Sequence, residues 1–256
     1  MENYQTTFSI KRLWWILTVG MIVMFGIMLL LGQQIYQQAP PIPTAVKSAS
    51  GEILFTRADI ETGQNVWQSI GGMEQGSIWG HGSYLAPDWS ADWLHREAEA
   101  LLALTSTHSL PGASPAQAEA MQKAALQTEM RANTYDPVSG VITVSDTRAL
   151  AIRQVQTHFM RLYEGNDPAS LDLRRAYAFP VYGRLTGPRA QQLTAFYFWT
   201  AWGATTNRPG QTITYTSNWP HEPLVANSRI TEAMLHISVP VVGVLPTSGS
   251  CGQLLV

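Results

Sequence analysis

Cysteine is nearly missing from this chain of 256 residues: Cys251, close to the C-terminus, is the only one. A lone cysteine excludes an internal disulfide, a Cys-x-x-Cys redox motif and a thiolate metal cluster. Charge is scarce too, at 13% of residues. Beyond residue 12 the chain carries 14 basic and 17 acidic side chains, with no basic patch interleaved with aromatics. That balance argues against nucleic acid as a partner. No Gly-x-Ser-x-Gly and no phosphate loop is present, and the spacing of Gly71, Gly72 and Gly76 does not match a dinucleotide fingerprint. The histidines, His81, His95, His108, His158, His221 and His236, include no pair four residues apart. Each therefore reads as structural or solvated rather than as a metal ligand. Glu97 and Glu99 read as solvated carboxylates on different faces of one helix. The residues by themselves assemble no catalytic site.

What the chain does have is one long apolar run. Leu13–Leu31 is 19 residues without a charge, about 28 Å of helix and close to one hydrocarbon core. No small-x-small cleavage site follows it, so it reads as a permanent anchor rather than a signal peptide. Lys11 and Arg12 precede it and no basic residue follows until Lys47, which places the N-terminus in the cytoplasm and the rest outside. The reading divides the chain into a cytoplasmic tail (1–12), a transmembrane helix (13–33), a proline-stiffened and then polar linker (34–51), a folded domain (52–227) and an atypical tail (228–256). The fold class is mainly α.

Several helix starts are spelled out. Thr56 with Asp59, and Ser114-Pro115 with Gln117, have capping-box spacing. Asp88 caps a helix whose stripe is Trp89, Trp93, Leu101 and Leu104, and Ser145 or Asp146 caps another with Ile152, Val155, Phe159 and Leu162. Ile60, Trp67 and Ile70 share one helical face. Tyr135–Val144 reads as a small β-hairpin. The ring-rich run Phe196–Trp202 is too short for a second span and reads as a core helix starting at Pro188.

The most distinctive stretch is Ser69–Pro87, SIGGMEQGSIWGHGSYLAP, with five glycines. Gly63-Gln-Asn-Val-Trp67 followed by Gly80-His-Gly-Ser-Tyr-Leu-Ala-Pro87 resembles the N-terminal part of quinol-dependent nitric oxide reductases. There a cytochrome c-like extracytoplasmic domain precedes a haem–copper-oxidase-like membrane domain. Relatives that carry haem c place Cys-x-x-Cys-His between those two segments. Placed by its flanks, that pattern puts Gly72 and Gln75 where the haem-linking cysteines would be and Gly76 where the ligating histidine would be. Thioether bonds need thiols and the iron needs an imidazole, so covalent haem c is excluded at this loop. No methionine stands between Phe179 and Leu193 as a second axial ligand. The run Asn218–Pro223, with Trp219, Pro220 and Pro223, resembles the end of that domain. Trp67, Gly80, Gly82, Tyr84 and Pro87 make up the rest of the shared frame.

The resemblance implies a cytochrome c-like helical domain without haem c, on a bacterial cytoplasmic membrane, with its main body in the periplasm. It also implies a parent reaction in which two nitric oxide molecules and a quinol give nitrous oxide, water and a quinone. The parent's haem b and non-haem iron ligands would lie downstream, so no cofactor and no catalytic residue is assigned to this chain. Its expected partners are the bilayer and the parent's membrane catalytic domain, with quinol reached only through the parent. Residues 228–256 then read as a truncated or frameshifted end. Two other readings stand beside this one: a self-standing anchored binding module, and a non-covalent haem protein using His81. Trp67, Met73 and Trp79 are the expected filling of the space that haem takes up in relatives.

Overall fold

The computed structural model describes residues 9–82, 86–105, 114–179 and 184–228. Tyr84, His108, His236, Cys251 and the tail beyond 228 lie outside them. The first helix, α1 (Ile10–Gln38), has no buried residue. Among the described residues it is the one helix long and apolar enough to cross a membrane. It continues past the expected end of the span, so the first part of the 34–51 linker is helical. No proline or glycine interrupts Gln33–Gln38, and Ala39-Pro40-Pro41 is what stops it.

The remainder of that linker is not linker either. Ala45–Ser48 forms β1, the central strand of a three-stranded sheet ordered β2-β1-β3. Val46 and Ser48 are buried. β2 (Ile53–Thr56) pairs antiparallel with it, and β3 (Val141–Val144) pairs parallel in register Ala45↔Val141 to Ser48↔Val144. The hairpin expected over Tyr135–Val144 is thereby corrected. Its two arms meet at one bridge, Tyr135↔Ile142, and β3 pairs with β1 instead. The expected turn does form: Asp136 accepts from the amides of Val138 and Ser139.

The helices begin where their caps say. Thr56 and Asp59 form a capping box at α2 (Arg57–Ser69), and Ser114 and Gln117 form another at α4 (Pro115–Arg131). Asp88 Oδ1 accepts from the amide of Ala91 at 2.9 Å in the first turn of α3 (Trp89–Thr105). Ser145 caps α5 (Asp146–Glu164). A short α6 (Pro168–Ala176), capped by Asp167, was not anticipated. α7 (Pro188–Thr205) is buried around most of its circumference, and α2, α3 and α5 pack on it. The run Phe196–Trp202 is therefore core, as its length required.

Glu97 is a second correction. Far from solvated, it is 1% exposed and accepts from Trp93 Nε1 and Arg148 Nε, both at 2.8 Å. It sits four residues after Trp93 and four before Leu101, which places it on the apolar stripe of α3.

Candidate functional site

The glycine stretch joins α2 to α3. Its midpoint is tied to the start of α3: Ser77 N donates to Pro87 O at 3.1 Å and Trp89 N to Ser77 O at 2.9 Å. Asp88 Oδ2 accepts from Ser77 Oγ (2.7 Å) and from Gly80 N (2.8 Å), while Ser90 Oγ accepts from Trp79 N (2.9 Å). Entry to the loop depends on Gly63, where α2 crosses α7. A Cβ there would lie 2.0 Å from the Gln192 carbonyl oxygen and 2.9 Å from Phe196 Cβ. One turn on, Trp67 packs against Phe196 with ring centroids 5.7 Å apart. The Gly-x-x-x-Trp spacing is thus a helix-packing device.

The three positions that the resemblance aligns with haem attachment lie within five residues of one another. Gly72 opens a 3-10 turn (Gly72–Glu74) at φ +54°. Gln75 is 2% exposed, and neither atom of its amide has a hydrogen-bond partner among the described residues. Gly76 is the tightest: a Cβ would fall 2.1 Å from Trp89 Nε1 and 2.7 Å from the Pro87 carbonyl oxygen. No side chain of any kind fits there. Trp89 in turn is fully buried, stacked on Tyr197 (5.3 Å, 13°) and ringed by Phe159, Tyr163, Tyr177 and Phe179 at 5.9–6.3 Å. Tyr163 and Tyr197 join hydroxyls at 2.6 Å inside this cluster.

The expected filling is corrected in part. Trp67 is buried, but Met73 is 56% exposed. Trp79 is only partly buried, packs on Trp199 at 5.4 Å and donates Nε1 to Thr200 O at 2.8 Å. The ring that packs against Gly76 is Trp89. The residues present do not fit a covalent haem: no thiol or imidazole stands at the three positions, and the third is closed by an indole.

Residues far apart in sequence meet at the loop tip. Trp219 lies over Gly80, 3.2 Å from where a Cβ would be, and a Cβ on Gly82 would fall 2.9 Å from Ser77 Cα. Pro220 is buried after a cis peptide bond, and exposed Pro223 starts a 3-10 turn to Val225. Arg131, at the end of α4, holds this segment. Its Nη2 donates to Asn207 Oδ1 (2.8 Å), Thr212 O (2.8 Å) and Asn218 Oδ1 (3.1 Å), and its Nη1 to Asn227 Oδ1 (2.9 Å) and Val225 O (3.3 Å). Sequence reading missed Arg131 because its partners are 76 to 96 residues away. Arg131→Met should cost about 2–3 kcal/mol, the scale of hydrogen bonds to a charged group. Thermal unfolding by circular dichroism checks this, and an unchanged Tm would contradict the hub.

Among the described residues no three histidine, cysteine or acidic side chains gather into one group placed to hold a metal. His81 is exposed at the loop tip, and His95 Nδ1 meets Glu222 Oε2 at 2.7 Å. His158 lines an open cleft of about 320 Å³ between α3 and α5, away from the loop, with Arg96, Glu99 and Gln154. Burial, reinforced by the charge of Arg96, lowers its pKa to about 4. The unfolded chain would protonate it near 6.5, so the unfolded state binds the extra proton between those values. Stability should therefore be intact above pH 6.5 and decline as pH falls toward 4. His158→Gln should flatten that part of a Tm-against-pH profile.

The family model of the NorB cytochrome c-like domain of nitric oxide reductase matches residues 43–221. Comparison with curated proteins gives no match. The matched region begins just before β1, runs through the glycine loop and the helical core, and ends inside the Trp219–Pro223 segment. The chain therefore belongs to the NorB family of nitric oxide reductases, and its helical body is that family's cytochrome c-like domain.

Proposed function

We propose that this chain is the N-terminal region of a quinol-dependent nitric oxide reductase, and that its domain is a structural cap without haem c. In this reading α1 anchors the domain with the N-terminus in the cytoplasm and the body outside. The domain covers the outer face of the parent's membrane catalytic domain and shields it from water. Electrons reach the parent's haem b and non-haem iron from quinol within the membrane, without passing through this domain. The observation that carries the reading is Trp89 packed against Gly76, which leaves no room for a side chain where the resemblance would put the ligating histidine.

A packed loop also supports the cap over a self-standing binding module, which would need an open apolar pocket at the same place. The Arg131 hub and the Asp88 ties supply the rigidity a cap requires. The test is turnover. The purified chain in detergent, given a reduced quinol, should consume nitric oxide no faster than buffer at an electrode. Consumption above that rate would overturn the reading.

A further inference from the structure

The junction between α1 and the domain has no slack. The apolar run ends at Leu31, and the helix continues through Gln38. Those seven further residues rise about 10 Å, enough to clear the headgroup layer on one side of a bilayer. Gln38 Oε1 then accepts from Arg208 Nη1 at 3.1 Å. Pro40 lies 3.3 Å from where a Cβ on Gly203 would be, Pro41 O accepts from Trp199 Nε1 at 3.0 Å, and Ile42 O accepts from Arg57 Nη2 at 2.6 Å. Four attachments tie the segment Gln38–Ile42 to the body: two to the C-terminal part of α7, one to Arg208 just past it and one to Arg57 at the start of α2. No residue of α1 is buried by the domain, so the body sits beyond the helix rather than around it.

The residues beside that junction have a particular composition. Trp79 packs on Trp199, Trp219 lies over Gly80, and Tyr215 packs on Trp202 at 5.5 Å. Trp79, Trp199, Tyr215 and Trp219 are each partly exposed. No aspartate or glutamate occurs between Asp172 and Glu222, and Arg208 lies within that acid-free stretch beside the junction. Tryptophan and tyrosine concentrate at the headgroup level of membranes, where an apolar ring and a polar edge are both satisfied. Acidic side chains would be repelled there by anionic lipid, whereas an arginine is not.

We infer that the face formed by Trp79, Trp199, Arg208, Tyr215 and Trp219 rests on the phospholipid headgroups of the leaflet from which α1 emerges. The inference depends on α1 being a membrane anchor. It holds the glycine loop at the membrane surface, out of reach of soluble partners, and gives the aromatic rim a role in orienting the body on the bilayer.

Spin-label accessibility tests it on the full chain in nanodiscs of phosphatidylcholine and phosphatidylglycerol. In a Cys251→Ser background, nitroxides are placed by Thr212→Cys and Ser217→Cys beside the rim. Asp172→Cys, exposed on α6, and Val23→Cys, mid-α1, serve as references. Labels at 212 and 217 are expected to lose collisions with a water-soluble nickel chelate and gain them with oxygen, relative to the label at 172. Equal chelate accessibility at 172, 212 and 217, with the label at 23 buried in lipid, would overturn the inference and leave the anchor intact. A label at 23 that is open to the chelate would instead overturn the anchor reading. Protection at 212 and 217 that vanishes when each disc is restricted to one chain would assign the face to a second copy, and overturn the lipid partner.

Discussion

Gly76→Ala should be among the most damaging single-methyl additions in the domain, alongside Gly63→Ala. The new Cβ would lie 2.1 Å from Trp89 Nε1 and 2.7 Å from the Pro87 carbonyl oxygen. Relief by a side-chain swing is blocked, because Trp89 is fully buried and held by Phe159, Tyr163, Tyr177, Phe179 and Tyr197. The Pro87 carbonyl is fixed by the Ser77 amide. Overpacking of a rigid site costs about 3 kcal/mol or more, which lowers Tm by about 6–12 °C in a domain of this size. Trimming the partner should return part of the loss. The double variant Gly76→Ala/Trp89→Phe is expected to be more stable than the sum of its singles, since the two sites share one contact. A Gly76→Ala protein that melts with the unsubstituted chain would show that the loop yields, and that the position is not closed.

The second large effect concerns the ion pair inside the core. Arg148 and Glu97 are 3% and 1% exposed at their side chains. Glu97 is satisfied on both oxygens by Arg148 and Trp93, and Arg148 Nη1 also donates to Glu129 O at 3.2 Å. Removing either partner strands a charge away from water, at about 3–5 kcal/mol. Glu97→Leu and Arg148→Met should each unfold at much lower denaturant concentration. The apolar double variant Glu97→Leu/Arg148→Met should recover most of the stability, because no unpaired charge remains. Chemical denaturation of the four proteins makes this a complete cycle. Equal and additive losses would mean that the pair is not coupled.

How much of this was legible in the sequence depended on how far apart the partners are. Thr56 with Asp59 and Ser114 with Gln117 announce helix starts because a cap and its amide lie three residues apart. The core role of Phe196–Trp202 was legible from length and flanking polarity. β1 was not, since a four-residue strand has little periodicity and its parallel partner β3 is about 95 residues away. Glu97 was readable and misread: its place on the stripe with Trp93 and Leu101 outranked its charge, but the compensating Arg148 sits on another helix. The glycine loop lay between these cases. Residue types alone showed that Gly72, Gln75 and Gly76 cannot attach haem. Which ring closes the space was not legible, because Trp89 meets Gly76 only after the loop folds back on itself.

That closure is the centre of the account, and haem content tests it most directly. The full chain would be expressed with a complete haem c attachment machinery, beside a haem-bearing relative as positive control, and weighed intact by mass spectrometry. The mass of the polypeptide alone is expected, with no band on a haem-stained denaturing gel. A mass greater by one haem, or a stained band at the position of the chain, would contradict it.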